Sequence, residues 1–337
     1  MKNLSFIDKT IFFFNSIAAF FLLASYVIPF IPPNLTATIS VLSLGMPLLL
    51  ITNTLFSTFW LVKLKKQFFL SFLILAIGYQ HVQAFVQFRT QEQSKSNLKI
   101  MSYNVRLFNA YKWSKKNDLD KDIYEFINIK SPDIISFQEY YPKKDLSLKY
   151  PYKYIAPNKY GSSARQAIYS KYKILTKGSL DFEKTGNNAI YADIIIEKDT
   201  IRIYNIHLQS LSIDKTKENF GQKDSEKLLK RFKSTFSRQA TQAKLVLKHS
   251  SKCNYKTIFM GDFNNTAFSW VYKKLKQNKT DAFIEAGNGF GKSFDYIFPF
   301  RIDFVLTDST IKINDFTTYD VKYSDHFPIM ARINLSK

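Results

Sequence analysis

Three long apolar runs in the first 89 residues restrict the folds open to this chain more than any other feature. They extend over residues 11–31, 35–62 and 68–88, and none contains Asp, Glu, Lys or Arg. Each approaches the length of about 20 residues that a helix needs to cross a bilayer. Buried core helices are the alternative, whereas a cleaved signal peptide would explain only the first run. We therefore predict that residues 1–89 form a membrane anchor with three transmembrane helices.

The positions of the lysines predict how these helices are oriented. Lys2 and Lys9 precede the first run, and residues 63–66 between the second and third runs contain three lysines. The short turn at 32–34 carries no charge. Because loops rich in Lys and Arg stay in the cytoplasm, three spans would place the chain after Arg89 outside the cytoplasm. We thus expect a multi-pass membrane protein, and a different number of spans would reverse the orientation.

The composition changes after the third apolar run. Residues 90–97 are polar, which predicts a linker, and residues 98–337 are expected to form a separate catalytic domain. Of the 48 Lys and Arg, 42 follow residue 89, with 26 of the 27 Asp and Glu, which gives a net charge of +16. This charge favours polyanionic partners such as nucleic acid or anionic lipid head groups. The single Cys253 excludes a disulfide framework and a cysteine-rich metal site.

The part of the chain after the linker alternates between strand-like and helical patterns. Helical spacing of apolar residues is found at 121–129 and 227–247. Short apolar runs typical of strands lie between and around them, at 98–103, 134–137, 167–169, 189–196, 200–206, 257–260, 302–306 and 329–333. No strict βαβ rhythm is present, so we expect a layered α/β domain with largely antiparallel pairing.

Polar residues follow directly where several of these strands end. In the segment 257–265, an apolar run stops at Gly261 and is followed by Asp262 and Asn264, whose side chains point to the same face in extended backbone. Such a pair suits an acid/base group beside a hydrogen-bond donor to phosphate, although Asp-x-Asn turns are also common in loops. Five further strand ends or starts deliver polar groups in the same way: Asn104, Glu139, His207, Asp303, and Asp325 with His326. Ligands commonly bind at such edges.

Taken in chain order, these segments resemble the endonuclease/exonuclease/phosphatase superfamily. The matching motifs are Asn104-Val, Gln138-Glu, His207-Leu, Gly261-Asp-Phe-Asn, Arg301-Ile-Asp and Ser324-Asp-His, within residues 98–335. The resemblance implies an α/β fold, a four-layer α/β sandwich of two mostly antiparallel sheets flanked by helices, here preceded by three transmembrane helices. It also implies a hydrolase acting on phosphate esters. One stretch departs from the family pattern, since residues 167–174 lack its proline.

The resemblance further implies a metal site. Oxygen ligands with few histidines suit Mg²⁺, or Mn²⁺, better than Zn²⁺. Glu139 is the expected metal ligand, Asn104 is expected to support it, and Asp325 is a further candidate.

The catalytic roles follow from the same motifs. His326 is the expected general acid or base, since imidazole titrates near neutral pH, and Asp303 would orient it. Asp262 would activate water or transfer a proton, and Asn264 would donate to phosphate. His207 would contact phosphate or protonate the leaving oxygen. How His326 and Asp262 divide the role of base stays open.

Weaker candidates for substrate contact are Arg165 and Asn188. For the function, a membrane-anchored, metal-dependent phosphoesterase acting on nucleic acid is the first expectation. The alternatives are a lipid or inositol phosphate phosphodiesterase or phosphatase, related in kind to sphingomyelinases, and a catalytically silent membrane module. The expected partners are a phosphate-containing polyanion and the lipid bilayer; no protein partner is predicted.

Overall fold

The computed structural model describes residues 4–89, 98–142, 148–157, 161, 163–212 and 222–335. The linker predicted at 90–97 lies outside the described residues, so the domain boundaries stay a prediction. The described part comprises an N-terminal group of helices, followed by two sheets with helices on their outer faces.

The N-terminal part contains five helices. They are α1 (Phe6–Ser25), α2 (Pro33–Val41), α3 (Met46–Val62), α4 (Phe68–Ile77) and α5 (Tyr79–Phe85), with 3₁₀ turns at Ile28–Phe30 and Leu42–Gly45. Two stretches are long and apolar enough to cross a membrane, Phe6–Phe30 and Pro33–Val62. These correspond to the first two predicted spans.

The third predicted span, 68–88, is not one straight helix. Helices α4 and α5 meet at Gly78 with a bend of 80°, so the number of spans is two, or three if the bent pair counts as one. The ring of Tyr26 occupies the space beside Gly78, where a Cβ would lie 2.0 Å from its hydroxyl oxygen. Tyr26 also donates to the carbonyl of Ile74 at 3.0 Å. This ring, packed against the glycine, accounts for a bend that the apolar run did not predict.

The helices of this group bury polar side chains and expose apolar ones. Asn15 of α1 donates to Ser71 of α4 at 2.6 Å and accepts from Trp60 of α3 at 2.9 Å. Ser71 in turn donates to Asn53 of α3 at 2.9 Å. On the outer surface, large side chains such as Phe13, Phe14, Phe20 and Phe21 are exposed. The interior thus combines an apolar cluster with hydrogen-bonded polar side chains, while the outer surface is unusually apolar for a water-soluble bundle.

The C-terminal part contains two six-stranded sheets. Their strands are β2 (Leu98–Asn104), β3 (Ile134–Tyr140), β4 (Tyr152–Ile155), β5 (Arg165–Ser170), β6 (Ile174–Ser179), β7 (Asn188–Ile196), β8 (Asp199–His207), β9 (Lys256–Asp262), β10 (Lys279–Asp281), β12 (Asp303–Asp308), β13 (Lys312–Thr318) and β14 (Ile329–Asn334).

The order of the strands is β10-β12-β9-β8-β7-β6 in the first sheet and β13-β14-β2-β3-β5-β4 in the second. Each sheet has one parallel pair at its centre, β8 with β9 and β2 with β3. The remaining pairs are antiparallel, which confirms the expectation of mostly antiparallel sheets.

Four layers result from how these sheets are covered. A core of aliphatic residues, rich in isoleucine, fills the space between the two sheets. Helices α7 (Gln222–Ser250) and α8 (Trp270–Lys276) cover the outer face of the first sheet, and α6 (Leu119–Lys130) covers that of the second. The described elements are completed by a short helix α9 (Ala282–Ala286), a 3₁₀ turn at Arg106–Asn109, and a two-stranded pair of β1 (Gln87–Phe88) with β11 (Asn288–Gly289). The four-layer sandwich predicted from the motifs is confirmed.

The N-terminal helices contact the sandwich directly. Helix α2 lies along α7, and the 3₁₀ turn at Ile28–Phe30 lies beside α8. Phe268 of the sandwich is buried in the apolar cluster of the N-terminal helices. Arg301 forms a buried ion pair with Asp281 at 2.8 Å and also donates to the carbonyl of Ala84 in α5 at 3.3 Å. Several contacts therefore fix the position of the sandwich relative to the helices.

Candidate active site

Four of the predicted residues form one row across the first sheet. Asn188 on β7 pairs with His207 on β8, His207 pairs with Asp262 on β9, and Asp262 pairs with Asp303 on β12. The row lies at one edge of the sheet, where β8 and β9 end and β7 and β12 begin. Strand pairing thus brings together residues that are far apart in the sequence.

Gly261 allows the two central strands of this row to approach closely. Its φ is 138°, and a Cβ at this position would lie 2.0 Å from the carbonyl oxygen of Ile206 on β8. Only glycine adopts this φ without strain, and only glycine has no Cβ to meet the carbonyl oxygen of Ile206. The glycine before Asp262 is therefore a requirement of the sheet that carries the site.

His326 lies between the two aspartates of the row. Its Nδ1 is 2.9 Å from Asp303 Oδ2, and its Nε2 is 3.6 Å from Asp262 Oδ2. Two serines hold the backbone at His326 and Asp303. Ser324 Oγ accepts from the backbone N–H of His326 at 3.2 Å, and Ser293 Oγ accepts from that of Asp303 at 2.9 Å. The arrangement is that of an imidazole oriented by one carboxylate and directed at a second.

Asn264 is fixed around the same carboxylate. Its backbone N–H donates to Asp262 Oδ1 at 2.7 Å, and its side-chain amide lies 3.2 Å from Asp262 Oδ2. The amide also donates to the carbonyl of Leu208 at 3.0 Å. Asn264 has a φ of 49°, a conformation that asparagine tolerates better than most residues. The two polar residues of the Gly261-Asp-Phe-Asn segment therefore act as one unit.

The second sheet contributes the candidate metal ligands. The side-chain amide of Asn104, at the end of β2, lies 3.1 Å from Asp262 Oδ2 and 3.4 Å from Glu139 Oε1. Asn104 thus bridges the carboxylates of the two sheets. Asp325 accepts from Arg106 Nη1 at 3.1 Å. Glu139 and Asp325 are half-buried and line the same cavity as Asp262 and His326.

The side chains of Asn104, Glu139 and Asp325 offer oxygen donors that fit a hard divalent cation. Burial raises the pKa of the Glu139 carboxyl, and the negative charge of Asp325 raises it further. Two carboxylates close enough to repel each other, beside an amide, form the kind of oxygen-rich set that Mg²⁺ prefers. Asp262, Asp303 and His326 also lie close enough together to hold a cation. Nδ1 of His326 is already bonded to Asp303, so the oxygen-rich set around Glu139 fits a hard cation better than this group does. Which residues bind the metal stays a prediction.

Burial and neighbouring charges give the three central groups distinct protonation states. Burial raises the pKa of Asp262 to about 7, and the nearby Asp303 adds to this, against the opposing effect of His326. Burial alone would lower the pKa of His326, but the carboxylates of Asp303 and Asp262 outweigh it and raise the pKa to about 10. Burial lowers the pKa of His207 to about 3, and His326 lowers it further. Near neutral pH the site thus holds a cationic His326, a neutral His207 and a titrating Asp262.

His207 lies within reach of the reacting groups. Its Nε2 is 3.6 Å from Asp262 Oδ2 and, among the described residues, has no hydrogen-bond partner. A buried imidazole nitrogen without a partner calls for an explanation, which a water or a substrate oxygen would supply. The structure thus places His207 with Asp262, as the sequence had suggested, while its role stays a prediction.

The two weaker candidates lie away from the main cavity. Arg165 and Asn188 both line a separate, much smaller pocket. The side chain of Asn188 accepts from the backbone N–H of Asp181 at 2.8 Å and donates to Ser179 Oγ at 2.6 Å. These bonds hold the loop between β6 and β7. Substrate contact by Arg165 or Asn188 stays a prediction.

Several residues that sequence reasoning did not single out support the site. Arg106 follows Asn104 by two positions and neutralises Asp325. Gln239 of α7 donates to the backbone carbonyl of Asn264 at 3.0 Å and accepts from Asn265 at 2.7 Å. Beneath the row, Gln138 donates to Asn205 across the two sheets at 2.7 Å. Of these residues, Gln138 was already part of the Gln138-Glu motif, and Asn205 gave a weaker sequence signal as a polar residue within a strand-like run.

A cavity of about 870 Å³ opens above these residues. Glu139, Asp262, Asn264, Asp325 and His326 line its polar end. Its volume lies within the range of small-molecule sites, roughly 300–1,000 Å³. These five candidates, which come from both sheets, therefore face one shared space that can admit a substrate, whereas Asn104, His207 and Asp303 do not line it.

Sequence comparison gives two matches to family models. One, described as the Endonuclease/Exonuclease/phosphatase family, matches residues 101–326. The other, described as a domain of unknown function, matches residues 8–85. A comparison with curated proteins gives no match.

Solved structures share the fold of the sandwich. A variant of D. rerio TDP2 humanized by 14 mutations is 16% identical, with a TM-score of 0.54 over 71% of this chain and 99% of that one. A mannosyl-6-phosphatase from Bacteroides thetaiotaomicron is 18% identical, with a TM-score of 0.52 over 70% of this chain and 99% of that one.

An endonuclease/exonuclease/phosphatase family protein from Bacteroides thetaiotaomicron is 16% identical, with a TM-score of 0.53 over 72% of this chain and 98% of that one. At these identities the structural likeness concerns the fold alone. The family model, in contrast, matches more than half of the chain and includes the motifs from Glu139 to His326. The chain belongs to the endonuclease/exonuclease/phosphatase family and is a phosphoesterase.

Proposed function

We propose that the protein is a membrane-anchored, divalent-metal-dependent hydrolase of phosphodiester bonds. The observation that carries this proposal is the position of His326, with one ring nitrogen on Asp303 and the other facing Asp262 at the polar end of the cavity. Such a site combines a proton acceptor, a fixed cation and hydrogen-bond donors, the groups that phosphate ester hydrolysis needs.

Because of their protonation states, Asp262 and His326 have different roles in the proposed reaction. Ionised Asp262 accepts a proton from the attacking water as the new bond to phosphorus forms. The cationic His326 and the amide of Asn264 donate to phosphate oxygens, where negative charge increases in the transition state. The ester bond then breaks, and the leaving oxygen receives a proton from water. Neutral His207 provides a further donor or acceptor beside Asp262.

Members of the family depend on a divalent cation, and we propose Mg²⁺, with Mn²⁺ as a substitute. Glu139 would hold it directly, with Asp325 and Asn104 beside it. Bound there, the cation would neutralise phosphate charge and stabilise the leaving oxygen. Arg106 holds Asp325 in place through their 3.1 Å contact.

The N-terminal helices support anchoring in a bilayer. Their exposed surface is rich in phenylalanine and leucine, while their interior holds Asn15, Asn53 and Ser71. An apolar surface of this extent is unfavourable in water. We therefore propose that α1, α3 and the bent pair α4–α5 lie in the membrane.

The contacts with the sandwich favour three crossings over two. Phe30, after α1, lies 3.9 Å from Lys273 of α8, measured from the ammonium to the ring centre. Ala84, at the end of α5, is bonded to Arg301. Both points thus lie on the same side as the sandwich, whereas Lys63 at the end of α3 contacts Asp8 at the start of α1. With the lysines of 63–66 in the cytoplasm, the sandwich would lie outside.

Nucleic acid, the substrate expected first from the sequence, is one candidate. The net charge of +16 after residue 89 favours a polyanion. One structural neighbour is D. rerio TDP2 complexed with a single-strand DNA product, at 17% identity and a TM-score of 0.53.

The proposed chemistry can be tested on the full-length protein in detergent. Hydrolysis of bis(4-nitrophenyl) phosphate, a small phosphodiester, would be followed with Mg²⁺ and with EDTA. We expect turnover that EDTA abolishes and that His326→Ala reduces by about 10²-fold or more, while His249→Ala, on the outer helix, retains it. Equal rates in His326→Ala and the parent protein would refute the mechanism. A reporter fused after the last residue would test the orientation, and a cytoplasmic signal would contradict it.

A further inference from the structure

The cavity above the active site has walls of two kinds. Its polar end is formed by the catalytic candidates, and further polar residues line it at Ser210, Ser212, Asn265, Thr266 and Asp295. The rest of the lining is mainly apolar and comes from three separate parts of the chain. Among the described residues that line it, none is Lys or Arg. The proposed reaction uses only the polar end, so the apolar walls need another explanation.

The first apolar wall belongs to the membrane segment. Leu44, Pro47 and Leu48, at the junction between the 3₁₀ turn and α3, line the cavity. Helix α3 (Met46–Val62) contains 17 residues, which at 1.5 Å per residue is about 26 Å, close to the roughly 30 Å of a hydrocarbon core. If α3 crosses the bilayer, as proposed above, its first residues lie near one surface of that core. The cavity would then border the edge of the bilayer.

The second apolar wall comes from helix α7. Leu228 and Phe232 are four residues apart, so they lie on one face of the helix, and both line the cavity. Helix α2 lies along α7, which makes this wall continuous with the membrane segment. The wall formed by α7 therefore adjoins the proposed membrane segment.

The third apolar wall is the aromatic segment 294–300. It contributes Phe294, Tyr296, Ile297, Phe298 and Phe300 to the lining. Ile297 is 89% exposed, and the ring of Phe294 lies 5.0 Å from the ring of His326. The segment therefore extends from the catalytic imidazole to an exposed apolar tip, as expected of a loop that meets a membrane surface.

We propose that the cavity binds the hydrocarbon chain of a membrane phospholipid and that the phosphodiester of this lipid is the bond that the site hydrolyses. The inference rests on the proposed function and adds the substrate class. Water and the lipid phosphodiester give an alcohol and a phosphomonoester, with the proton transfers assigned above to Asp262 and water. An amphiphile matches the site, because its phosphate would meet His326 and Asn264 while its chain lies against the apolar walls. A nucleic acid strand would place charged phosphates along walls that contain no cation.

The test uses the full-length protein in mixed micelles with four substrates. They are a phosphatidylglycerol with two oleoyl chains, the same head group with two hexanoyl chains, plasmid DNA, and bis(4-nitrophenyl) phosphate. We expect kcat/KM for the long-chain lipid to exceed that for the short-chain lipid by at least about tenfold, since each buried methylene contributes about 0.8 kcal/mol, or roughly fourfold. Sphingomyelin and phosphatidylcholine would then define the head group.

Two variants of α7 separate the chain site from the catalytic site. Leu228→Asp and Phe232→Asp should reduce hydrolysis of the long-chain lipid by about tenfold or more and leave that of the small phosphodiester within about twofold. Leu245→Asp, on an exposed position of the same helix, should change neither. In the His326→Ala protein, a phospholipid with a photoactivatable chain should crosslink to residues 44–48 or 294–300.

The two proposals fail in different ways. Cleavage of plasmid DNA or the small phosphodiester without hydrolysis of any phospholipid would overturn the lipid inference and leave the phosphoesterase standing. Equal loss of lipid and small-phosphodiester hydrolysis in Phe232→Asp, with crosslinks elsewhere in the chain, would also overturn it. If no substrate is hydrolysed, the proposed function itself is wrong.

Discussion

His326 Nδ1 lies 2.9 Å from Asp303 Oδ2, and this contact joins the start of β12 to the segment before β14. Asp303→Asn removes the charge that favours the imidazolium and alters the preferred tautomer. We expect kcat to fall by about 10²–10⁴-fold with little change in fold. Asp308→Asn, at the opposite end of the same strand, is the matched control and should retain activity. If both variants were equally active, Asp303 would have no role in orienting His326.

The raised pKa of Asp262 predicts the pH dependence. Burial raises this pKa to about 7, so Asp262 is protonated and unable to accept a proton at lower pH. We expect kcat/KM to fall about tenfold per pH unit below about 7, and to fall again above about 10, where His326 loses its proton. Rates would be measured from pH 5 to 10.5 on the small phosphodiester. In Asp262→Asn, the residual activity should no longer decrease below pH 7. If this decrease were unchanged, it would be caused by the titration of another group.

Glu139 predicts the response to metal. Because Glu139→Gln removes one of two facing carboxylates, the Mg²⁺ concentration for half-maximal activity should increase by about tenfold or more. Titration calorimetry of Mg²⁺ binding should show the same shift. Glu125→Gln, on the exposed face of α6, should leave both measurements unchanged. Unchanged Mg²⁺ dependence in Glu139→Gln would exclude it as a ligand.

Gly261 predicts a large effect on stability. Gly261→Ala would force a side chain into a φ of 138° and against the carbonyl of Ile206, which should lower the free energy of unfolding by about 3 kcal/mol or more. Gly289 also has a positive φ, but no atom lies within 4 Å of its Cβ position. Gly289→Ala therefore measures the cost of the backbone conformation alone, and its effect should be clearly smaller. Denaturation of both proteins in the same detergent would compare them.

The polar network in the N-terminal helices predicts a second stability effect. Asn53→Leu removes the acceptor of Ser71 and the donor to the carbonyl of Ala18. The melting temperature in detergent should decrease, corresponding to about 0.6–2 kcal/mol. Leu55→Ala, on the exposed face of the same helix, should have little effect. A stabilised Asn53→Leu protein would show that the network is not required for helix association.

The sequence indicated the site better than it indicated the details of the helices. Apolar runs that end in polar residues are local signals, so Asn104, Glu139, His207 and Asp262 could be recognised at the ends of strands. Their meeting depends on the order of strands within the two sheets and on how the sheets pack. The family resemblance implied the sandwich fold but gave no strand order. The support of Asp325 by Arg106, and of Asn264 by Gln239, depends on contacts between distant elements that no local pattern encodes.

The bend at Gly78 shows the same limit. The run 68–88 has the length and composition of a span, and hydropathy takes no account of where Tyr26 lies. The parallel pairs β2–β3 and β8–β9 likewise depend on long connections that periodicity does not reveal. Helices and strands that follow from a short hydrophobic period could therefore be predicted, whereas the contacts between these elements could not.

The anchoring of Arg301 between Asp281 and the carbonyl of Ala84 has a practical consequence. Catalytic domains of membrane enzymes are commonly produced as soluble fragments, cut at the polar segment after the last helix. In this protein such a cut would leave Arg301 with one partner fewer and would delete Leu44, Pro47 and Leu48 from the wall of the substrate cavity. A fragment of this kind would retain all the catalytic candidates yet lack one side of its active site. Its substrate preferences would then be those of an open cleft and would differ from those of the intact protein.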